Sequence, residues 1–409
     1  MNVWKISWQN IKSKPLYTAL SVFSLALSIA LLLGMQQLKT SFKHQIENNL
    51  GTIDLVIGAK GSPLQLVLAS VLHLDNPTGN ISYKEVKKIS KNPFIKTAVP
   101  ISYGDNYKGF RIIGTTNAFR KLYNSELEKG RDVNASLEVV IGHIVAKELK
   151  LTIGDTFLSA HGLVEAAIET HDEKFVVVGI LKPTQKVIDR LIISNLESIW
   201  HLHEDESHTE DHSEHSEENH KKHPNEKDKE ITSLLVSFKN PRGFLTVPRT
   251  INEQTNMQAA LPKYELDKLY EYMGLGFKTI TWIAYLILII AGLTIFISLY
   301  KMVKERAFDL ALLRTYGATR FQLIKMVVYE GFTITFVAFA IGLLLVKIVL
   351  PLLLKFTGIT FNGNVLKELP FQDILQIALV IFIIIIVSIT IAIYPIVKMK
   401  ISEILSNEK

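Results

Sequence analysis

Long apolar runs at 16–35, 279–300, 326–354 and 374–397 alternate with polar sequence and divide the chain. Each reaches the length of about 20 residues at which a helix crosses the hydrocarbon core, so four transmembrane helices are predicted. An even number of crossings leaves both termini on one side. Lys5, Lys12 and Lys14 precede the first run, basic residues fill the gap between the second and third, and Lys398 and Lys400 follow the last. By the positive-inside rule the termini and that gap are cytosolic, and the segment 36–278 lies outside. The first run is too long for a signal-peptide core and no small-residue cleavage site follows it, so it reads as an uncleaved anchor.

Helical periodicity continues beyond the runs. Trp4, Trp8 and Ile11 share a face with Lys5 and Lys12 beside it, the pattern of a short helix lying among lipid headgroups. Leu38, Phe42, Ile46 and Asn49 carry the first span outward as a stalk until Gly51 stops it, and Tyr264, Leu266, Leu269, Tyr270 and Met273 form a second stalk after Pro262. Between the stalks, 54–57, 110–114, 138–141, 175–181, 191–194 and 234–238 read as strands, while Ser82 with Glu85 opens one helix and 142–149 forms another. The predicted fold is a membrane protein with four transmembrane α-helices and a large extracytoplasmic α/β domain inserted between the first and second spans. Its parts are 1–35 (interfacial helix and first span), 36–278 (outer domain with stalks) and 279–409 (three further spans).

The polar crossing 301–325 and the start of the third span read KMVKERAFDLALLRTYGATRFQLIKMVVYEG from Lys301 to Gly331. Leu299, Val303, Ala307, Leu310 and Leu313 recur at helical spacing, with Lys304, Glu305, Arg306, Asp309 and Arg314 on the other faces. Gly317 supplies a stop, and Thr319 followed by Gln322 is a capping-box start, so two helices meet at a tight elbow. A basic cytosolic loop satisfies the positive-inside rule by itself, but that leaves the turn unexplained. Glu305, Arg306, the run 311–314, Gly317 to Thr319, Arg320, Glu330 and Gly331 together resemble the hallmark segment of the FtsX-like / MacB-type permeases of bacterial ABC transporters, the mechanotransmission group. The outer stretches EVVIGHIVAKELKLTIGDTF and FVVVGILKP are similar to the MacB-like periplasmic core domain of the same family, so the likeness covers most of the chain.

The resemblance implies a permease subunit in the bacterial cytoplasmic (inner) membrane. It would act as a dimer with a second permease copy or a paralogue, driven by cytosolic ABC ATPase subunits that move the outer domains for efflux, lipoprotein or peptide extraction, or signalling. No G-x-x-x-x-G-K-[ST] run occurs, and Gly58-Ala59-Lys60-Gly61-Ser62 has the wrong spacing and lies outside, so ATP belongs to a partner chain. Arg306, Leu310, Leu313, Arg314, Tyr316, Gly317 and Arg320 are the candidate ATPase-coupling residues. Glu330, an ionisable group at the edge of a span, is a candidate functional carboxylate or pairs with Lys325 at the interface.

Composition adds two points. The 409 residues are 48% hydrophobic, too apolar for one soluble domain, and the net charge of +6 is accounted for at the membrane edge rather than by nucleic acid. Cysteine is absent, which excludes disulfides and thiol chemistry. The segment 201–230 has almost no apolar side chains and is expected to be a disordered insertion outside the core. It holds seven of the chain's twelve histidines: His201, His203, His208, His212, His215, His220 and His223. Imidazole and carboxylate there suit zinc or another divalent transition metal, without a fixed ligand set. Metal capture and an incidental solvated acidic loop both stay open, as does a second class of function, a membrane-anchored metal-binding receptor or sensor without a motor. HExxH and Gly-x-Ser-x-Gly are absent and no scaffold aligns the acids and histidines, so the chain itself is expected to be non-catalytic.

Overall fold

Apolar periodicity sets the helices of the computed structural model, which describes residues 3–13, 15–160, 170–206, 229–356 and 371–398. The chain starts with α1 (Val3–Ser13) and α2 (Pro15–Leu50), then enters a domain with β1 (Leu55–Ala59), α3 (Pro63–Ser70), β2 (Ile81–Ser82), α4 (Tyr83–Ile89), β3 (Ile95–Tyr107), β4 (Phe110–Thr115) and α5 (Ala118–Leu122). It continues through β5 (Leu127–Gly130), β6 (Glu138–Ile141), α6 (His143–Leu149), β7 (Thr156–Ala160), β8 (Thr170–Leu181), β9 (Ile192–Asn195) and α7 (Leu196–Glu206). After β10 (Glu230–Ile231), β11 (Ser233–Phe238), α8 (Gly243–Gln254) and β12 (Met257–Ala260), the helices α9 (Pro262–Glu305), α10 (Ala307–Thr315), α11 (Arg320–Phe356) and α12 (Phe371–Lys398) follow. Two units result: Met1–Phe42 with Tyr272–Lys409, and Lys43–Glu271.

Among the described residues, α2, α9, α11 and α12 are the four helices long and apolar enough to cross a membrane. Leu25, Ile29, Leu288, Ile295, Leu299, Leu323, Ile334, Ile385 and Ile389 form their shared core, while Leu286, Ile290, Phe336 and Ile383 face outward, as lipid-facing residues do. Small residues set the spacing. A Cβ on Gly331 would lie 2.6 Å from Ile389, one on Gly342 would lie 2.8 Å from Ile29, and Gly292 approaches α12 closely enough for Ser388 Oγ to donate to its carbonyl at 3.1 Å. Helix α1 packs on α11 through an edge-on contact of Trp4 with Tyr329 and a bond from Ser7 Oγ to the Met326 carbonyl. Trp4 and Trp8 remain exposed, the aromatic face expected of an interfacial helix.

In the head, Lys43–Glu271, a ten-stranded sheet runs β12-β1-β11-β3-β4-β9-β6-β8-β5, with β7 joining β3 and β8, and a small β10–β2 ribbon stands apart. Pairs β4–β9 and β6–β8 are parallel, the mixed arrangement of an α/β layer fold. Successive side chains fall on opposite faces. Val56, Leu235, Ile113 and Ile193 enter one core with α3 and α5, whereas Leu55, Leu234 and Val236 enter a second and Ile112 and Ile192 a third. Burial on both faces explains why these strands read as unbroken apolar runs. The first core also takes Ile46 and Leu50 from α2 and Leu266 and Leu269 from α9, so the stalk ends belong to the head's own packing.

Two expectations change. The segment 201–230 does not begin as a disordered insertion: α7 runs to Glu206 and buries Leu202, while Ile231 of β10 is buried beside the segment's far end. Trp200 Nε1 donates to the Glu230 carbonyl at 2.7 Å, and Lys229 Nζ sits 4.6 Å over the Trp200 ring, so both ends are pinned together. The single helix expected across 299–316 is also broken, between Glu305 and Ala307. Arg306 has φ −105° and ψ 17°, outside helical geometry, and divides α9 from α10.

Candidate functional site

At the elbow, sequence chemistry and local structure agree closely. Helix α10 closes with two bonds, from Gly317 N–H to the Arg314 carbonyl at 3.1 Å and from Ala318 N–H to the Leu313 carbonyl at 3.0 Å, a Schellman arrangement. Gly317 sits at φ +94°, the left-handed region that a side chain resists. Helix α11 then opens with a reciprocal capping box: Gln322 N–H donates to Thr319 Oγ at 3.3 Å, and Thr319 N–H donates to Gln322 Oε1 at 3.0 Å. The turn therefore satisfies its own polar groups and presents fixed side chains.

Those side chains divide by face. Leu310 is 2% exposed and packs in the membrane-unit core, with Leu313 partly buried against it. The stripe from Leu299 to Leu313 is thus a packing face, and Leu310 is not available to a partner surface. Arg306 and Arg314 are half-buried, and Arg320 is exposed. Tyr316 at 82%, Phe321 at 71% and Leu312 at 40% exposure are the large apolar groups presented at the turn. Leu312 and Phe321 are additions to the expected coupling residues. Leu312 is signalled by its position one residue off the buried stripe, and Phe321 by its place in the first turn of α11 beside Arg320.

Glu330 is 1% exposed within α11 and makes polar interactions there, while Lys325 is exposed with its ammonium 5.6 Å over Tyr329. The adjoining Gly331 is required by the close approach of α11 to α12. Both glycines of the motif therefore serve backbone geometry.

Of the seven histidines, His201 is half-exposed on α7 with Nδ1 3.5 Å from Glu173. His203 lies in the last turn of α7 with its side chain outside the described residues, and His208, His212, His215, His220 and His223 lie wholly outside them. Among the described residues, no group of three or more His, Asp or Glu side chains could hold a metal ion.

The head holds the end of α2 by a joint that periodicity does not reveal. Val187 N–H donates to Asn49 Oδ1 at 2.9 Å and Gln45 Nε2 donates to the Gln185 carbonyl at 3.3 Å. The loop carrying these groups is organised by Asp189, whose carboxylate accepts from Thr184 N–H and Gln185 N–H. Just past the helix, Gly51 at φ +55° brings Thr52 N–H onto the Leu122 carbonyl at 3.0 Å.

Comparison with known proteins matches this layout. Residues 18–238 match the MacB-like periplasmic core domain and residues 281–401 match the FtsX-like permease C-terminal domain. No curated protein sequence matches the chain. Among solved structures, the periplasmic region of MacB from Actinobacillus actinomycetemcomitans is similar at 10% identity and a TM-score of 0.34, covering 54% of this chain and 94% of that one. The extracellular domain of the noncanonic ABC-type transporter YknZ from Gram-positive bacteria is similar at 11% identity and a TM-score of 0.30, covering 51% of this chain and 98% of that one. The two domain matches lie in order along one chain, with the first alone spanning more than half of it, and the chain belongs to the FtsX/MacB-type ABC transporter permeases of the bacterial inner membrane, with its α/β domain extracytoplasmic.

Proposed function

We propose that this permease docks a separate cytosolic ABC ATPase at the elbow and passes the ATPase's movement through α2 and α9 to the head. Both termini and the elbow face the cytosol in this reading, and two permease copies, or this chain with a paralogue, act together. Permeases of this type work with ABC ATPase partners, and the head would use the motion for export, lipoprotein extraction or signalling.

The observation that carries the proposal is the elbow itself. Its turn is closed by its own hydrogen bonds, and Leu312, Tyr316 and Phe321 stand exposed beside Arg320. Exposed aromatic and arginine side chains on a rigid support are the usual anchors of a protein interface. Leu312 and Tyr316 are exposed while Leu310 and Ala311 are buried in the core, so a partner can seat on the exposed side chains of the turn without disturbing that core.

Affinity capture of ATPase subunits by the full permease tests the docking. Tyr316→Asp with Leu312→Glu should reduce capture at least tenfold while membrane insertion and the thermal transition are retained. Undiminished capture by the double variant would remove the elbow from the interface.

A further inference from the structure

In the membrane unit, α2 and α9 enclose an open cleft of about 170 Å³ that the coupling proposal does not use. Tyr17, Leu20 and Ser21 line it from α2, and Ile297, Lys301 and Met302 from α9. Tyr17 stands at the start of the apolar run of α2 and Lys301 at the end of that of α9, so the mouth lies at headgroup level and the floor within hydrocarbon. Water is excluded at that depth, and an open apolar groove in a bilayer is filled by an acyl chain or by protein.

Three features select among such occupants. At the mouth, Lys301 Nζ bonds Tyr17 Oη at 2.8 Å and lies over the same ring, which fixes an ammonium at the rim. Lys304, one turn further along the exposed edge of α9, adds a second cation, so with Glu305, 3.8 Å from Lys301, the α9 side of the rim carries two positive charges against one carboxylate among the described residues. About 6 Å deeper by helical rise, one turn along α2 from Tyr17, Ser21 is fully buried, and its hydroxyl has no hydrogen-bond partner. A cation at phosphate level, a spare donor one turn below it and an apolar floor match a glycerophospholipid in sequence: phosphate, ester carbonyl, acyl chain.

We propose that this cleft is a binding site for an anionic glycerophospholipid of the surrounding bilayer, with its phosphate at Lys301, an ester carbonyl at Ser21 Oγ and an acyl chain along Leu20 and Ile297. The site does not depend on the elbow reading. A lipid wedged between the two helices would tune their separation at the end nearest the elbow.

The full chain in nanodiscs of equimolar phosphatidylglycerol and phosphatidylcholine, released and analysed by native mass spectrometry, tests this. One phosphatidylglycerol per chain should be retained with at least fivefold preference. Lys301→Ala should bring the preference close to one, Lys301→Arg should restore it, Ser21→Ala should shorten retention about threefold, and Lys347→Ala on α11 should change nothing. Equal retention of both lipids, or a preference indifferent to Lys301→Ala, overturns the site. Because the chain has no cysteine, Leu20→Cys supplies a second readout: efficient disulfide linkage between two copies through position 20, with no lipid retained, would assign the cleft to a second copy instead.

Discussion

His73, just past α3, is held at φ +54° and is 7% exposed. Its Nδ1 lies 2.9 Å from Tyr103 Oη, and that hydroxyl donates to the Ala69 carbonyl. The imidazole must therefore donate through Nδ1–H, which leaves Nε2 as a buried acceptor with no partner. Burial, with the nearby Arg111 guanidinium second, pushes the imidazole down to about 3 from its ordinary value of 6.5. The folded head thus binds this proton more weakly than the unfolded chain. Its stability contribution is complete above pH 6.5 and is lost as pH falls towards 3, at about 1.4 kcal/mol per pH unit. Thermal unfolding of the head from pH 7.5 to 4.5 should show that slope. His73→Asn should flatten it, since asparagine tolerates the left-handed backbone and does not titrate. An unchanged slope in the variant would assign the acid sensitivity to other groups.

At the scale of elements, two glycines end two helices under different constraints. Gly51, after α2, has φ +55°, and a Cβ there would lie 2.4 Å from the Leu122 carbonyl oxygen, which is backbone and cannot rotate away. Gly317, after α10, has φ +94°, and a Cβ there would meet nothing within 4 Å. Left-handed backbone alone costs about 1–2 kcal/mol for an alanine. Gly317→Ala should therefore lower stability by about 1 kcal/mol, and Gly51→Ala by more than about 2 kcal/mol, because the clash adds to the same strain. Melting of the purified chain carrying each substitution checks the order. Both glycines are legible in sequence as helix stops, as are the capping box, the four spans and the strands whose two buried faces leave unbroken apolar runs. Strand β3 is not, because Pro100, Gly104, Asp105 and Asn106 interrupt its thirteen residues and imitate a loop. Helix α8 is hidden by Pro248 within it. The elbow stripe is legible as one face, but its assignment to a partner fails at Leu310, since periodicity shows that a face is apolar and not what covers it; Leu310 packs inward, and Leu312 and Phe321 stand outside.

Across the whole molecule, α2 and α9 are the helices whose residues run from one unit into the other, and on the proposed function they carry work done at the elbow to the head. On the proposed function, transmission needs the stalk ends fixed in the head. Leu50, Leu266 and Leu269 supply packing there, but packing alone lets a helix rotate or slip, whereas the bond from Val187 N–H to Asn49 Oδ1 fixes its register. Asn49→Ala removes that acceptor and leaves the donor unpaired, at a cost of about 1–3 kcal/mol, which the remaining core contacts can carry. The expected result is a separation of two signals. ATPase stimulation by the partner-bound permease should persist, while the nucleotide-dependent change in distance between spin labels on the heads of two copies, placed in this cysteine-free chain, should shrink by at least half. Deletion of 207–228 serves as the contrast. Its flanks are already joined by Trp200 and Glu230, so both stimulation and head movement should survive it. Absence of ATPase stimulation by the parent chain, together with a metal response that this deletion abolishes and Asn49→Ala leaves intact, would favour the motorless metal receptor, because signal would then originate at the histidine-rich segment and owe nothing to the grip of the head on α2.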